Sequence, residues 1–446
     1  MIRALRLTMF AAALSSAAPA FAADNSLRKD AEALAAGTSD ELIAIRRYLH
    51  ERPELSNRES ETGQYLAAKL QALGYQVQTG VARNGVVAVL KGGKPGPVVA
   101  LRADMDGLPV TEEVVLPFAS KVKSTYDGKD VGVMHACGHD THMAMLLSAA
   151  AVFAKLQARL PGTVKLIFQP AEEGRPAGEE GGAELMVKEG VLSSAPKPDV
   201  IFGLHVLTQF ETGQLAFRAG SLMASTENLN IVVHGKQTHG AMPWNGVDPI
   251  VISAQIISAL QTVVSRQLDI TQGAAIVTIG KIDGGVRNNI IPDEVRMKGT
   301  LRSLDPASRL IMNDAVRRTA TKIAEASGAT AIVGIGDEYA YPVTYNDPAL
   351  TAQMRPTLER IAGKANIIES TPQTVAEDFS FYQQKIPGLF VFVGVRKPGA
   401  TTDEYAPNHS PRFKVDESGL PLGVRALVGL TLDYMAQSAN QVRSQS

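Results

Sequence analysis

Short apolar segments alternate with helical segments over the first two hundred residues, and this alternation limits the possible folds more than any other feature. Strands are predicted at 85–90, 98–103, 163–169 and 199–206, and helices at 141–157 and near 182–190. Strands that are apolar throughout and separated by helices are typical of a sheet covered on both faces. We therefore predict an α/β domain with a central sheet flanked by helices.

Residues that can bind a ligand follow three of these strands. They are Asp104 and Asp106 after the second strand, the adjacent Glu172 and Glu173 after the third, and His205 near the end of the fourth. In such sheets, ligands bind beyond the strand ends. A bare Glu-Glu pair is more often a solvated acidic loop. In extended geometry, however, the two side chains point opposite ways, so that one can bind metal while the other faces the substrate.

The segment 131–142, VGVMHACGHDTH, is the densest group of candidate metal ligands. Cys137, the only cysteine, and His139 are two residues apart and would lie on the same side of an extended segment. A thiolate and an imidazole so placed can bind one transition-metal ion. For an isolated C-x-H, a buried cysteine beside surface histidines is the simpler interpretation. The strand-end residues and His409 favour the metal site because they supply further ligands.

The pattern changes after about residue 220, where the predicted order becomes strand, helix, strand, strand, helix, strand. The strands lie at 226–236, 274–281, 294–303 and 329–336, and the helices at 248–268 and 305–326. This β-α-β-β-α-β order is that of a ferredoxin-like unit. We therefore predict an inserted lid or dimerisation domain at 221–338 and a discontinuous catalytic domain at 23–220 and 339–446.

Residues 1–22 have the features of a secretory signal: a positively charged start, an apolar run, and an A-x-A cleavage pattern at 20–22. The sequence therefore predicts a periplasmic or secreted protein. No membrane attachment is expected after cleavage, since no later segment approaches the roughly 20 apolar residues of a transmembrane helix. The net charge of −1 and the lack of a basic stripe argue against nucleic acid as a partner.

Ten motifs together resemble one family, the co-catalytic metallopeptidases that include hippurate hydrolase, bacterial N-acyl-amino-acid amidohydrolases and plant auxin-conjugate hydrolases (peptidase family M20, subfamily D). In chain order they are RRYLHERPELS (46–56), LRADMDGLPV (101–110), MHACGHDTH (134–142), QPAEEG (169–174), FGLHV (202–206), GKQTHGAMPWNGVDPI (235–250), RNNIIPDE (287–294), GTLR (299–302), AEDFS (376–380) and NHSPRF (408–413). They cover nearly all of the chain after the signal. The resemblance implies a zinc-peptidase-like catalytic domain with a mixed sheet.

The resemblance also implies two divalent metal ions per subunit that share a bridging water. Manganese, zinc, cobalt and nickel all suit such a site. The positions that match the family's metal ligands are Cys137, His139, Glu173, His205 and His409. Glu172 matches the general base that moves the proton of the water.

Further positions match residues that act on the substrate or on the ligands. His239 matches the histidine of the inserted domain that stabilises the oxyanion, in several relatives from a partner subunit. Asn289 and Arg302 match residues that bind the free carboxylate of the substrate. Asp104 and Asp106 match residues that orient the metal ligands.

The chain departs from the family near His239. Relatives have a glycine before this histidine and a second histidine soon after it, as in GGHAAMPH, where this chain has Thr238 and Trp244. Trp244 is the only tryptophan. Either it shapes the substrate pocket or it packs the hinge between the domains, and hinge packing is the simpler expectation.

The resemblance implies a metal-dependent amidohydrolase that cleaves N-acyl or N-aroyl amino acids to a carboxylic acid and a free amino acid. The partner is then a small-molecule substrate, and a homodimer through the inserted domain is a further expectation. A carboxypeptidase or dipeptidase acting on short peptides differs only on the acyl side. Two alternatives use different chemistry: a metal-free hydrolase with Cys137 as nucleophile, and a periplasmic binding protein whose domains close on a ligand.

Overall fold

The computed structural model describes residues 25–445, and the predicted signal at 1–22 lies outside them. The first part of the described chain contains α1 (Asn25–Ala36), α2 (Ser39–His50), α3 (Ser60–Ala72), β1 (Gln76–Val81), β2 (Gly85–Lys91), β3 (Lys94–Asp104), β4 (Lys123–Tyr126), β5 (Lys129–Gly132), α4 (His139–Leu156), β6 (Pro161–Gln169), α5 (Gly182–Lys188), β7 (Val200–Glu211), β8 (Leu215–Phe217) and β9 (Gly220–Met223). The second part contains β10 (Ser225–His234), β11 (Thr238–His239), α6 (Pro249–Gln267), β12 (Ala275–Gly284), β13 (Ile290–Ile291), β14 (Glu294–Ser303), α7 (Pro306–Ala326) and β15 (Thr330–Tyr341). The chain then continues through β16 (Thr344–Asn346), α8 (Pro348–Ala362), β17 (Ile367–Glu369), α9 (Ser380–Gln383), β18 (Gly388–Arg396) and α10 (Leu420–Gln445).

Eight strands form the main sheet in the order β1-β2-β6-β3-β7-β18-β8-β17. The sheet is mixed, because β3 is parallel to its neighbours β6 and β7 whereas β2 is antiparallel to its neighbours β1 and β6. Asp104 pairs with Gln169, and Arg102 pairs with Gly203. This register brings the carboxyl ends of three strands to one edge of the sheet, where the candidate ligands lie.

Helices cover both faces of the main sheet, as predicted. On one face, α4 contacts α1, α2 and α10 as well as strands β3, β6 and β7. Residues 143–150 of α4 are almost completely buried, which is the expected position for a helix that is apolar all round. On the other face, α5 and α9 pack on a second apolar cluster that includes Ile167, Ile201 and Phe390.

The predicted β-α-β-β-α-β unit is confirmed as a four-stranded antiparallel sheet in the order β12-β14-β10-β15. We call β10 to β15 with α6 and α7 the inserted domain. Both helices pack on one face of its sheet. Among the described helices, α6 is long and apolar enough to cross a membrane, by length and composition only. Its residues Ile252, Ile256 and Leu260 pack in the core of this domain, which explains that composition.

The sequence analysis missed several short strands, namely β4, β5, β8, β9, β16 and β17. Each has only three or four residues, too few to show a hydrophobic period. β8 and β17 nevertheless extend the main sheet as a parallel pair. β9 pairs with β16 at the point where the chain enters and leaves the inserted domain.

Candidate metal centre

The segment 134–142 is not extended, as the sequence analysis assumed, but turns sharply into α4. Gly138 has a φ of +95°, and a Cβ atom there would lie 2.5 Å from Cγ2 of Val206. Only glycine fits such a position. His139 is the first residue of α4. The turn, rather than a shared face of a strand, therefore brings the side chains of Cys137 and His139 together.

Cys137 lies at the centre of side chains that come from distant segments. Its Sγ is 3.3 Å from Nε2 of His205 and 3.3 Å from Nε2 of His409. Nδ1 of His205 is 2.9 Å from O of Val206, which assigns the proton to Nδ1 and leaves the Nε2 lone pair facing the thiol. Nδ2 of Asn408 donates to O of Cys137 at 2.8 Å and so holds the loop that carries His409.

Glu172 and Glu173 lie in a turn after β6, where Ala171 has a φ of +54°. The prediction that they point opposite ways is wrong, because the turn aims both at one centre. Oε2 of Glu172 and Oε1 of Glu173 are each 3.8 Å from Nε2 of His139. Their other neighbours differ. Oε1 of Glu173 is 3.2 Å from Nε2 of His409, whereas Glu172 faces a second pair of acidic residues described below.

Asp104 and Asp106 each contact Nδ1 of a histidine ring. Oδ1 of Asp106 is 3.2 Å from Nδ1 of His139, so that Nε2 of this ring faces the centre. Oδ2 of Asp106 accepts a hydrogen bond from N of Glu173 at 3.0 Å. Oδ1 of Asp104 is 2.6 Å from Nδ1 of His142, whose Nε2 accepts from a backbone N–H of β7. Because both its ring nitrogens are hydrogen-bonded, His142 has a structural role.

Among the clusters of possible donor atoms, two groups of three share Cys137: Cys137 with His139 and His205, and Cys137 with Glu173 and His409. Within each group, the donor atoms lie within 4.8 Å of one another. Nε2 of His139 is buried and has no hydrogen-bond partner among the described residues. A thiolate, imidazoles and a carboxylate are ligands that transition metals prefer. The residues therefore fit a pair of metal ions.

The electrostatics of the centre also favour cations. Burial raises the pKa of the Cys137 thiol well above its usual range, and the neighbouring Glu173 and Glu172 raise it further. Burial likewise raises the pKa of Glu172 well above its usual range, and repulsion from Glu377 and Glu173 adds to the effect. Positive ions at the centre would stabilise the thiolate and the carboxylates together.

The sequence analysis gave no role to a fully buried arginine beside the centre. The Arg102 guanidinium contacts Asp104 at 2.7 Å, Asp378 at 2.9 Å and Glu377 at 3.0 Å. Its Nε donates to Oε1 of Gln169 at 2.8 Å. Two signals could have indicated this network: a charged residue inside the apolar run VVALRA, and the acidic pair of AEDFS.

The structure does not place His239 and Asn289 in the group around Cys137. His239 is exposed, and its Nδ1 accepts a hydrogen bond from N of Ala241 at 3.0 Å. Asn289 is its neighbour, because O of Asn289 accepts from N of Gly240 at 2.8 Å. Both residues therefore lie on an exposed part of the inserted domain, at the β11–β13 pair.

Arg302 and Trp244 have different surroundings. Nη1 of Arg302 donates to O of Thr374 at 3.1 Å, so this side chain of the inserted domain contacts a segment outside that domain. Trp244 is 77% exposed. The expectation that it packs the domain hinge is therefore wrong for this arrangement of the chain.

Comparison with known proteins agrees with this geometry. The chain is 42% identical over 398 residues to thermostable carboxypeptidase 2 of Saccharolobus solfataricus, with 89% of this chain and 95% of that protein covered. It is 38% identical to N-acetyl-L-cysteine deacetylase of Bacillus subtilis, with 85% of each chain covered. A solved structure of a dinuclear metal-binding peptidase of family M20 from Bacillus subtilis matches with a TM-score of 0.73 and 33% identity, covering 90% of this chain and 99% of that one.

The family to which these similarities point has its own sequence model, described as Peptidase family M20/M25/M40. That model matches residues 100–433, which is most of the chain and includes every residue of the two donor groups. The protein is therefore a hydrolase that belongs to peptidase family M20/M25/M40.

Proposed function

We propose that the protein is a metal-dependent amidohydrolase that cleaves N-acyl or N-aroyl amino acids. Water is added across the amide bond, which releases a carboxylic acid and a free amino acid. The observation that carries the proposal is the convergence of the two donor groups on Cys137 beside a further carboxylate, that of Glu172. The likeness to a deacetylase of an N-acyl amino acid supports this reaction.

The two donor groups would hold two divalent ions, of manganese, zinc, cobalt or nickel. When bound, the ions supply Lewis-acid chemistry, which polarises the amide carbonyl and lowers the pKa of water to about 7. Asp106 fixes the ring of His139 for this task, and the backbone carbonyl of Val206 fixes that of His205. The likeness to a dinuclear metal-binding peptidase supports the number of ions.

Glu172 has the position that a general base needs. It lies at the edge of the centre, between His139 on one side and the carboxylates of Glu377 and Asp378 on the other. From there it can take a proton from the attacking water and deliver it to the amine nitrogen as the C–N bond breaks. The hydroxyl of Tyr341 donates to O of Glu172 at 3.0 Å and so holds the turn in place.

Arg302 is proposed to bind the free carboxylate of the substrate, because a guanidinium can hold a carboxylate through two hydrogen bonds. It already lies against the catalytic domain, through its contact with Thr374. Asn289 and His239 can reach the substrate only if the inserted domain closes over the centre or if a second copy of the chain supplies them. The second route would require a homodimer through the inserted domain.

Removal of metal is expected to abolish hydrolysis of N-acyl amino acids, and addition of one of the four metals to restore it, because the ligand groups cannot activate water alone. The measurement is amino acid release by chelator-treated and reconstituted protein. Full activity after chelation would instead support a metal-free hydrolase with Cys137 as nucleophile. Ligand binding without turnover under any metal would support a binding protein.

A second candidate reaction, release of the last residue from short peptides, is favoured by the 42% identity to a carboxypeptidase. The catalytic groups would be the same, since only the acyl side of the amide bond differs. Assays of dipeptides beside N-acyl amino acids decide between the two. Faster turnover of dipeptides than of every N-acyl amino acid would favour the peptidase.

Export is proposed from the signal-like residues 1–22. Cleavage after Ala22 is expected, so N-terminal sequencing of protein from the periplasm or medium should begin at Ala23. Protein that stays in the cytoplasm with Met1 in place would contradict this proposal.

A further inference from the structure

The carboxylate of Glu172 is carried by a short turn, residues 171–173, that follows β6. Its first residue, Ala171, has a φ of +54°, a left-handed conformation that residues with a Cβ atom seldom adopt. A backbone of this kind keeps its shape only when surrounding groups hold it. The groups that bind the backbone of the turn therefore decide where the carboxylate of Glu172 lies.

Two of these groups belong to the part of the chain before the inserted domain. Oε1 of Glu59, a completely buried residue, accepts a hydrogen bond from N of Ala171 at 2.8 Å. The same oxygen accepts from N of Asn57 at 3.0 Å, so this carboxyl group connects the turn to the loop before α3. Oδ2 of Asp106 accepts from N of Glu173 at 3.0 Å. Both outer N–H groups of the turn are thus held by buried carboxyl groups.

The third group comes from the inserted domain. The hydroxyl of Tyr341 donates to O of Glu172 at 3.0 Å, and no other group among the described residues donates to this carbonyl. Tyr341 is the last residue of β15, where it pairs with Thr226 of β10. Its ring packs edge-on against that of Phe381, with the ring centroids 6.0 Å apart. The backbone of Glu172 itself is therefore held from the inserted domain.

We propose that Glu59 and Tyr341 are positioning residues, which set the place of the Glu172 carboxylate through the backbone of the turn. This inference rests on the proposed role of Glu172 as general base. Neither side chain belongs to the two donor groups. Proton transfer requires heavy atoms within about 3 Å of each other, so a small displacement of the turn slows it. Because Tyr341 belongs to the inserted domain, a shift of that domain would also shift the base.

Tyr341→Phe removes the hydroxyl and keeps the ring. We expect kcat on an N-acyl amino acid to fall about tenfold, because a misplacement of about 1 Å can cost up to about 10²-fold. KM should change by less than about twofold, since the donor groups and Arg302 are untouched. The matched control is Tyr345→Phe, which should keep the wild-type kcat. Tyr345 is 39% exposed and binds Gln383 through its backbone N rather than its hydroxyl. A wild-type kcat in folded Tyr341→Phe with full metal content would overturn the inference.

Combining Tyr341→Phe with Glu172→Gln distinguishes a displaced base from a general defect of the fold. If Tyr341 acts through the carboxylate of Glu172, its hydroxyl has nothing to position once that carboxylate is gone. The double variant should then have a kcat within about twofold of that of Glu172→Gln alone. A further tenfold loss in the double variant would show an effect independent of Glu172 and would overturn the inference.

Glu59 provides a second test that does not depend on Tyr341. Glu59→Gln keeps an oxygen that can accept from N of Ala171, so its kcat should stay within about threefold of the wild-type value. Glu59→Leu has no acceptor and leaves that N–H unpaired, so kcat should fall by about tenfold or more. In the Glu172→Gln background, Glu59→Leu should cause no further loss. Equal kcat values for the folded glutamine and leucine variants would overturn the role of Glu59.

Failure of the inference and failure of the proposed function give different results. Turnover by the wild-type protein, with unchanged kcat in Tyr341→Phe and in Glu59→Leu, overturns the positioning roles alone. Absence of turnover by the wild-type protein on every N-acyl amino acid, with all four metals, overturns the proposed function and the inference with it.

Discussion

Glu172→Gln is expected to lower kcat by about 10³-fold, because a general base contributes on this order to proton transfer. Glutamine keeps the shape of the side chain but cannot accept the proton of the attacking water. Glu173, His409 and Cys137 remain in place, so the metal content should not change. The measurement is kcat on an N-acyl amino acid together with metal analysis of the same preparation.

The control for Glu172→Gln is Glu184→Gln. This carboxylate follows the same strand but is half exposed and paired with Arg175 at 2.7 Å, outside the candidate centre. It should keep the wild-type kcat. Retention of more than a tenth of the activity in Glu172→Gln, with full metal content, would contradict the role of Glu172. Loss of metal in the same variant would identify Glu172 as a ligand instead.

The strand ends were the part of the centre that the sequence could predict. Periodicity placed Asp104, Glu172 and His205 after or within apolar strands, and a sheet with parallel strands brings such positions to one edge. The observed register, with Asp104 opposite Gln169, agrees with that reasoning. The prediction needed only the order of the elements, which long apolar runs indicate well.

The orientation of individual side chains could not be predicted from the sequence, because it depends on turns rather than on hydrophobic periodicity. Cys137 and His139 were assigned to an extended segment, whereas the left-handed Gly138 makes a turn between them. Glu172 and Glu173 were expected to point apart, whereas the turn at Ala171 aims both at His139. A single residue with positive φ reverses such a prediction without changing the order of the elements.

Contacts between segments that are distant along the chain could not be predicted from the sequence either. Arg102 and Asp378 are 276 positions apart, and no local pattern links them. The exposure of Trp244 and His239 also depends on how the inserted domain sits, which its own sequence does not determine. Family resemblance could suggest a role for His239, but it could not indicate that this residue is exposed and hydrogen-bonded to N of Ala241.

Arg102→Met is expected to lower the free energy of unfolding of the metal-free protein by about 3–5 kcal/mol, the usual cost of removing one partner from a buried ionic network. Methionine fills a similar volume but leaves Asp104, Glu377 and Asp378 buried without their shared cation. Urea denaturation monitored by circular dichroism should show a lower midpoint at an unchanged slope.

The matched control for this change is Arg355→Met, since Arg355 is paired with Glu369 at the surface, where both side chains are at least a third exposed. Exposed pairs contribute about 1 kcal/mol or less, so this variant should unfold near the wild-type midpoint. Equal midpoints for the two variants would show that Arg102 is not required to stabilise the buried acidic residues. A lower midpoint in Arg102→Met alone would show that the buried carboxylates next to the candidate centre are stabilised by the guanidinium of Arg102. Metal ions would then act on a site whose acidic residues are already partly neutralised, which explains how so many carboxylates can be buried beside Glu172.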